Sequence, residues 1–322
     1  MPRLRRSRTT RPGLGRRRSG TGFSYVDRDG STIRDDDERE RIEALAIPPA
    51  WTHVWIAPDP LGHIQAIGTD AAGRRQYLYH PLWRERRDRT KFERALDLAS
   101  TLPAARAQVT RDLRSDGATK QRALAAAFRI LDTASPRVGG ERYLESNGSF
   151  GLTTLLGSHV EVSRDHVAIH FRGKGGIDWQ AEFDDHDLAA VLRSLKRRGA
   201  GARLLAWKDG TQWHPLAAHD VNDYVRDRTK GEFTAKDFRT LRGTIVAAES
   251  LAASGTSTVR RTRQAAISKA FVEASVVLGN TPTIAKKSYV DPRVIERYRK
   301  GKTIAVTRGS SPERALRDLL GY

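Results

Sequence analysis

The alternation of apolar and polar positions changes character once along the chain, near residue 80. Upstream, short apolar runs alternate with turn residues. Residues 1–20 hold arginine, glycine, proline, threonine and serine with almost no large apolar side chain, the composition of a disordered basic arm. Residues 23–26, Asp29-Gly30 and Ile33 read as a short hairpin, and 35–46 as an acid-led helix stopped by Pro48-Pro49. Strands are expected at 54–57, 64–67 and 76–79, with turns at 59–62 and 70–73. Downstream of Pro81 the period becomes helical, over 82–99, 103–114 and 118–132. Strand patterning returns at 159–162, 167–171 and 179–183. Helices follow at 185–198, 217–229, 234–253, 258–278, 282–287, 292–300 and 311–320.

Two of these helices can be checked by spacing. Phe238, Leu241, Ile245 and Ala248 mark one apolar face of the 234–253 helix, with Arg239 and Arg242 one position off it. Ile267, Phe271, Ala274 and Leu278 do the same for the next. Gly279 suits a helix stop, and Thr281-Pro282 and Asp291-Pro292 suit restarts, so Tyr289 falls in a junction between two helices. The fold class expected is α+β: a β-rich N-terminal domain over 21–80 and a larger, mainly α-helical domain over 81–322 with a β-hairpin region near 159–183. No internal repeat is visible.

With 322 residues the chain has room for two domains and a core that needs no covalent staple. It has no cysteine, which excludes disulfides, thiolate metal sites and a thiol nucleophile. No run approaches the length of a membrane span, and the basic N-terminus lacks an apolar signal region, so a cytoplasmic protein with no membrane partner is expected. The net charge is +19, with +8 in residues 1–20, −4 in 21–80 and +15 in 81–322. Arginine outnumbers lysine 45 to 12, which GC-rich coding alone can produce; an excess of 19 cations over the acids it cannot. Such a field attracts nucleic acid.

The nine histidines are scattered without metal-ligand spacing. Gly173-Lys174-Gly175-Gly176 lacks the spacing and the following helix of a phosphate-binding loop. A metal-free route to cutting a phosphodiester remains open. It needs a nucleophile, a general acid and several preorganised cations around the phosphoryl group, roles that suit tyrosine, lysine and arginine.

Several segments, in order, resemble the type IB DNA topoisomerases of the poxvirus and bacterial kind. They are Ile47-Pro-Pro-Ala-Trp51, Gly73-Arg-Arg-Gln76-Tyr77-Leu-Tyr79, Pro136-Arg137-Val-Gly-Gly-Glu-Arg142-Tyr143, Gly151-Leu-Thr-Thr-Leu155, Phe171-Arg-Gly-Lys174-Gly, Lys236-Asp-Phe-Arg239-Thr and Leu278-Gly-Asn280 through to Tyr289. The resemblance implies that Tyr289 attacks a backbone phosphate to form a 3′-phosphotyrosyl intermediate. It implies Lys174 as general acid and Arg137 and Arg239 as holders of the transition state. Many relatives carry histidine where this chain has Asn280; an amide can donate a hydrogen bond to a phosphoryl oxygen but cannot transfer a proton. Gln76, Tyr77, Tyr79, Arg142, Tyr143 and Lys236 match DNA-contacting positions. No cofactor and no metal are implied, and the expected partner is duplex DNA clamped by a monomer.

Taken singly, these residues have plainer readings: Tyr289 as a packing tyrosine, Lys174 as a hairpin-turn lysine, Arg137 and Arg239 as two arginines among many. Their order is what raises them. A tyrosine recombinase shares the Arg–Lys–Arg–Tyr chemistry, but usually has histidine at the position of Lys236 and a helical N-terminal domain. A non-catalytic basic DNA-binding protein would need the charge alone.

Overall fold

The computed structural model describes residues 2–305 and 309–322. The chain forms two compact units, Met1–Thr90 and Lys91–Tyr322. In the first, β1 (Leu14–Ser19), β2 (Gly22–Val26), α1 (Asp36–Ala44), β3 (Thr52–Ile56), β4 (Ile64–Thr69) and β5 (Arg75–Tyr79) follow in order. The strands pair antiparallel in the order β2-β1-β3-β4-β5. Leu14, Ile42, Ile47, Ile56 and Ala66 form a small core. Asp35 caps α1 by accepting from the Glu38 N–H at 2.9 Å.

The disordered arm expected over 1–20 is corrected here. Leu14–Ser19 is a strand, joined to β2 by the two-residue loop Gly20-Thr21, and Leu14 lies in the core. Arg16 accounts for the misreading. Its guanidinium donates to the carbonyls of Ile47, Pro48 and Trp51 at 3.0, 3.0 and 2.7 Å, and lies 4.0 Å over the Phe23 ring. A charge that composition assigns to solvent instead closes one end of the sheet. β2 takes its strand partner upstream, and the hairpin expected downstream is a tight turn closed by the Asp27 N–H on the Ser31 carbonyl and the Ile33 N–H on the Tyr25 carbonyl, each at 2.9 Å, beside a bridge between Val26 and Thr32.

Helix α2 (Pro81–Leu113) replaces the two helices expected at 82–99 and 103–114. Pro103 forfeits one backbone hydrogen bond, but Leu98, Leu102, Ala105, Val109 and Leu113 continue one buried stripe past it. Next come α3 (Lys120–Ala134), α4 (Glu141–Asn147), β6 (Val160–Ser163), β7 (His166–Arg172), β8 (Asp178–Asp184) and α5 (His186–Lys196). The strands β6-β7-β8 form an antiparallel sheet. A second hairpin, β9 (Ala206–Asp209) with β10 (Gln212–Pro215), had not been expected. The chain ends in α6 (Ala218–Thr229), α7 (Ala235–Ser254), α8 (Arg260–Leu278), α9 (Pro282–Ser288), α10 (Pro292–Arg299) and α11 (Pro312–Leu320).

Helix α7 is the axis of the second unit. Burial runs nearly all round it, taking in Phe238, Leu241, Ile245, Ala248 and also Arg239 and Thr240. A helix enclosed on all sides is a core element rather than a half-wet one. Arg239, expected beside the apolar face, thus lies in the interior at 3% exposure.

Candidate active site

A buried guanidinium must satisfy its donors within the protein. Arg239, in the second turn of α7, donates from Nη1 to the carbonyl of Ser135 and from Nη2 to that of Leu278, both at 2.7 Å. One acceptor lies two residues before Arg137 and the other two residues before Asn280. Arg239 therefore ties the starts of two loops to the central helix. Its Nε has no partner among the described residues.

The first loop leaves α3 through Ser135, a left-handed cap residue at φ +51° whose Oγ donates to the Leu131 carbonyl at 3.0 Å. The Arg137 carbonyl accepts from the Leu152 N–H and the Val138 carbonyl from the Thr153 N–H, each at 2.9 Å. The 151–155 segment is thus a backbone splint for Arg137. The second loop begins where Gly279, at φ +57°, ends α8. Thr281 then caps α9 by accepting from the Ile284 N–H.

Tyr289 is the C-terminal cap of α9 and is 8% exposed. The Thr244 hydroxyl donates to its carbonyl at 2.9 Å. Gly243 lets the two elements meet: a Cβ there would sit 2.9 Å from Leu278 Cδ1 and 3.0 Å from Tyr289 Cβ. The phenol lies between two guanidinium groups. Arg137 Nη1 donates to the Tyr289 hydroxyl at 3.5 Å, and Arg239 Cζ lies 5.1 Å from the ring centroid. Burial alone would raise the Tyr289 pKa; the charges and hydrogen bonds of Arg239 and Arg137 outweigh it and bring the phenol below its ordinary value. Burial, and then the like charge of Arg137 against the favourable influence of Tyr289, lowers the Arg239 guanidinium from its own.

Lys174 occupies the exposed turn between β7 and β8 and forms no ion pair among the described residues. Its ammonium lies 5.8 Å from the Tyr143 ring centroid. Trp179 anchors this hairpin: its Nε1 donates to the Val277 carbonyl at 3.2 Å, and its ring packs beside Gly279 and Phe171. The Phe150 N–H donates to the Arg172 carbonyl at 2.9 Å and ties the same hairpin to the segment that splints Arg137. Asn280 contributes an unusual feature, since its Oδ1 and Nδ2 are both buried without a hydrogen-bond partner. Such an amide is costly unless something else pairs with it.

Arg137, Arg239 and Tyr289 are thus in contact, while Lys174 and Asn280 have no side-chain hydrogen bond to this cluster among the described residues and are linked to it by the backbone bonds at Arg172 and Leu278. Arg142 and Tyr143 lie on α4, a helix that buries no side chain, and Tyr143 is 58% exposed. Lys236 is exposed in the first turn of α7. Gln76, Tyr77 and Tyr79 lie on β5 in the first unit. Gln76 donates to Asp70 at 2.8 Å, and the two tyrosine rings stack at 6.1 Å, with Arg75 over Tyr77 and Arg87 over Tyr79. Sequence reasoning missed Ser135, Trp179, Gly243 and Thr244. Gly243 left the one available signal, a glycine within an apolar helix.

Comparison with known proteins fits this geometry to a family. Residues 81–308 match the family "Eukaryotic DNA topoisomerase I, catalytic core", and residues 22–70 match "Bacterial DNA topoisomerase IB, N-terminal domain". The chain belongs to the type IB DNA topoisomerases. It is 32% identical over 297 residues to DNA topoisomerase 1B of Acanthamoeba polyphaga mimivirus, covering 89% of this chain and 87% of that protein. It is 25% identical over 148 residues to DNA topoisomerase 1B of Vaccinia virus (strain Copenhagen), 44% of this chain and 47% of that one. To DNA topoisomerase 1 beta of Arabidopsis thaliana it is 26% identical over 159 residues, 49% of this chain and 16% of the relative. Among the described residues no helix is long and apolar enough to cross a membrane.

Proposed function

We propose that this topoisomerase relaxes supercoiled DNA through Tyr289, without ATP or metal. The Tyr289 oxygen attacks a backbone phosphorus, and its proton passes to solvent. A tyrosyl O–P bond forms as the bond from phosphorus to the 5′-oxygen breaks, and Lys174 donates a proton to that leaving oxygen. Arg137 and Arg239 carry the charge that develops on the phosphoryl oxygens, and the Asn280 amide, unpartnered in the free protein, donates to one of them. The energy of the broken ester is kept in the phosphotyrosine. After the cut strand swivels, the 5′-hydroxyl attacks and restores the DNA without a nucleotide. Gln76, Tyr77, Tyr79, Arg142, Tyr143 and Lys236 contact the duplex, on which the protein acts as a monomer in the cytoplasm of a bacterial cell.

The observation that carries this reading is the Tyr289 phenol set between two guanidinium groups, Arg137 at its hydroxyl and Arg239 over its ring. Two cations around one phenol both ease its ionisation and wait where a phosphate must bind. The test is relaxation of supercoiled plasmid in EDTA without nucleotide. Wild type should relax it and Tyr289→Phe should not. Plasmid left supercoiled by wild type refutes the proposal, and relaxation by the phenylalanine protein refutes the nucleophile.

A further inference from the structure

The segment before β1 lies outside both family matches, which begin at residues 22 and 81. It is nonetheless held by the fold of the first unit. The Arg5 N–H donates to the Leu61 carbonyl, and the His63 N–H to the Arg5 carbonyl, both at 2.9 Å. The Ser7 Oγ donates to the Ile64 carbonyl at 2.8 Å, and the Ser7 N–H to His63 Nδ1 at 2.9 Å. Trp55 Nε1 donates to the Arg11 carbonyl at 3.0 Å. Two of the arginines are used internally: Arg16 on the three carbonyls described above, and Arg5 in an exposed ion pair with Asp59. Arg3, Arg6, Arg8 and Arg11 are exposed, and among the described residues their guanidinium groups have no hydrogen bond or ion pair.

The location of this ribbon gives the charges a direction. The His80 N–H donates to the His63 carbonyl at 3.0 Å, and Ile64 pairs with Tyr79. The backbone at Arg5, at His63 and at His80 thus lies side by side, as neighbouring strands do. At a strand spacing near 4.8 Å, Arg5 stands roughly 10 Å from the end of β5. Arg6 is close enough to His63 to help lower its pKa, after burial. The ribbon therefore lies in the same sheet layer as β5, the strand on which Tyr77 and Tyr79 stack and Arg75 and Arg87 lie over them. It does so in a unit whose residues 21–80 carry −4, where +8 from the ribbon and β1 reverses the sign.

We infer that Arg3, Arg6, Arg8 and Arg11 form an additional phosphate-binding surface that lengthens the duplex contact of the first unit. The inference rests on the reading of this chain as a duplex-DNA enzyme, which plasmid relaxation by wild type tests separately. Unpaired guanidinium groups on an anchored ribbon bind phosphate with less ordering loss than a free tail would. Each phosphate contact contributes about 0.9 to the slope of log affinity against log salt.

The test compares full-length wild type with two variants carrying Arg3, Arg6, Arg8 and Arg11 all changed to alanine or all to lysine. Arg5, Ser7, Leu14 and Arg16 are kept, so the anchors remain. Affinity for a linear duplex of about 20 base pairs is measured across salt concentration. The alanine protein should show a slope shallower by roughly 3 to 4, and the lysine protein a slope near wild type. A slope unchanged in the alanine protein, or lost equally in the lysine protein, overturns the inference. So does an unchanged DNA slope beside lost binding to vesicles of anionic phospholipid, which would assign the surface to a membrane.

Discussion

Tyr289 carries two opposed influences. Its burial favours the neutral phenol, and the two arginines favour the phenolate. The arginines win, so the hydroxyl ionises below the ordinary 10.0. Within the range below that value, each unit of pKa lowering raises the phenolate fraction at neutral pH about tenfold. The ultraviolet difference titration between wild type and Tyr289→Phe should therefore have its midpoint below ten. In Arg137→Ala the midpoint should move up, because one favourable charge is gone while the burial remains. A wild-type midpoint at or above ten, or no movement in the variant, refutes the electrostatic account. Asn280 shows a different kind of residue-scale design. Both polar atoms of its side chain are buried without partners among the described residues, and an acceptor such as a phosphoryl oxygen would satisfy the Nδ2 donor alone.

At the scale of elements, the site depends on α7 meeting α9 where a side chain would intervene. Gly243→Ala sets two effects against each other. Alanine is the better helix former by about 1 kcal/mol, so propensity alone predicts a more stable protein. The new Cβ, however, would stand 3.0 Å from Tyr289 Cβ and 2.9 Å from Leu278, and the junction must shift. A shift of some tenths of an ångström at Tyr289, the proposed nucleophile, should cost about 10- to 100-fold in the rate of strand cleavage, with thermal stability little changed. Cleavage at the wild-type rate would mean that the close approach does not set the position of Tyr289. The same contact marks where sequence reading stops. The boundaries of α9 and α10 were legible because Thr281, Pro282, Asp291 and Pro292 act locally. Helix α4 was not, because it buries no side chain and leaves no apolar stripe. The β9–β10 hairpin was missed because each of its four-residue strands holds one large apolar side chain, Trp207 or Trp213, and so shows no alternation, unlike the equally short β6. The five catalytic candidates were legible only through their order along the chain. Ser135, Trp179 and Thr244 were not, because each acts on a residue 45 to 104 positions away.

At the scale of the molecule, an excess of 19 cations makes the carboxylates scarce and places many of them in structural pairs. Arg106 of α2 holds Asp132 of α3 through 2.7 and 2.9 Å bonds and Glu313 of α11 at 2.5 Å, so three helices of the second unit share one guanidinium. Burial would raise the Glu313 pKa, but Arg106 outweighs it and holds the carboxyl below its ordinary 4.5. Asp112, Asp187 and Asp220 are likewise held below their ordinary 3.8, by Tyr224, Gln121 and Arg228, by Arg114, and by Lys120. A carboxyl whose folded pKa lies below its unfolded value contributes stability that is complete above the unfolded value. That contribution is lost as pH falls through the folded one. Glu249 acts in the opposite sense: burial raises its pKa, so its contribution declines as pH rises. Four groups against one, with net positive charge growing as carboxylates protonate, predict that the second unit loses stability on acidification. Glu313→Gln isolates one share of that loss. Glutamine can still accept from Arg106 but carries no charge. At about pH 6 the variant should melt below wild type, and the two melting temperatures should converge only as the pH falls through the lowered folded pKa of Glu313. Calorimetry across this range decides the matter: curves that stay parallel would mean that the Glu313 charge does not hold α11 to the helices beneath it.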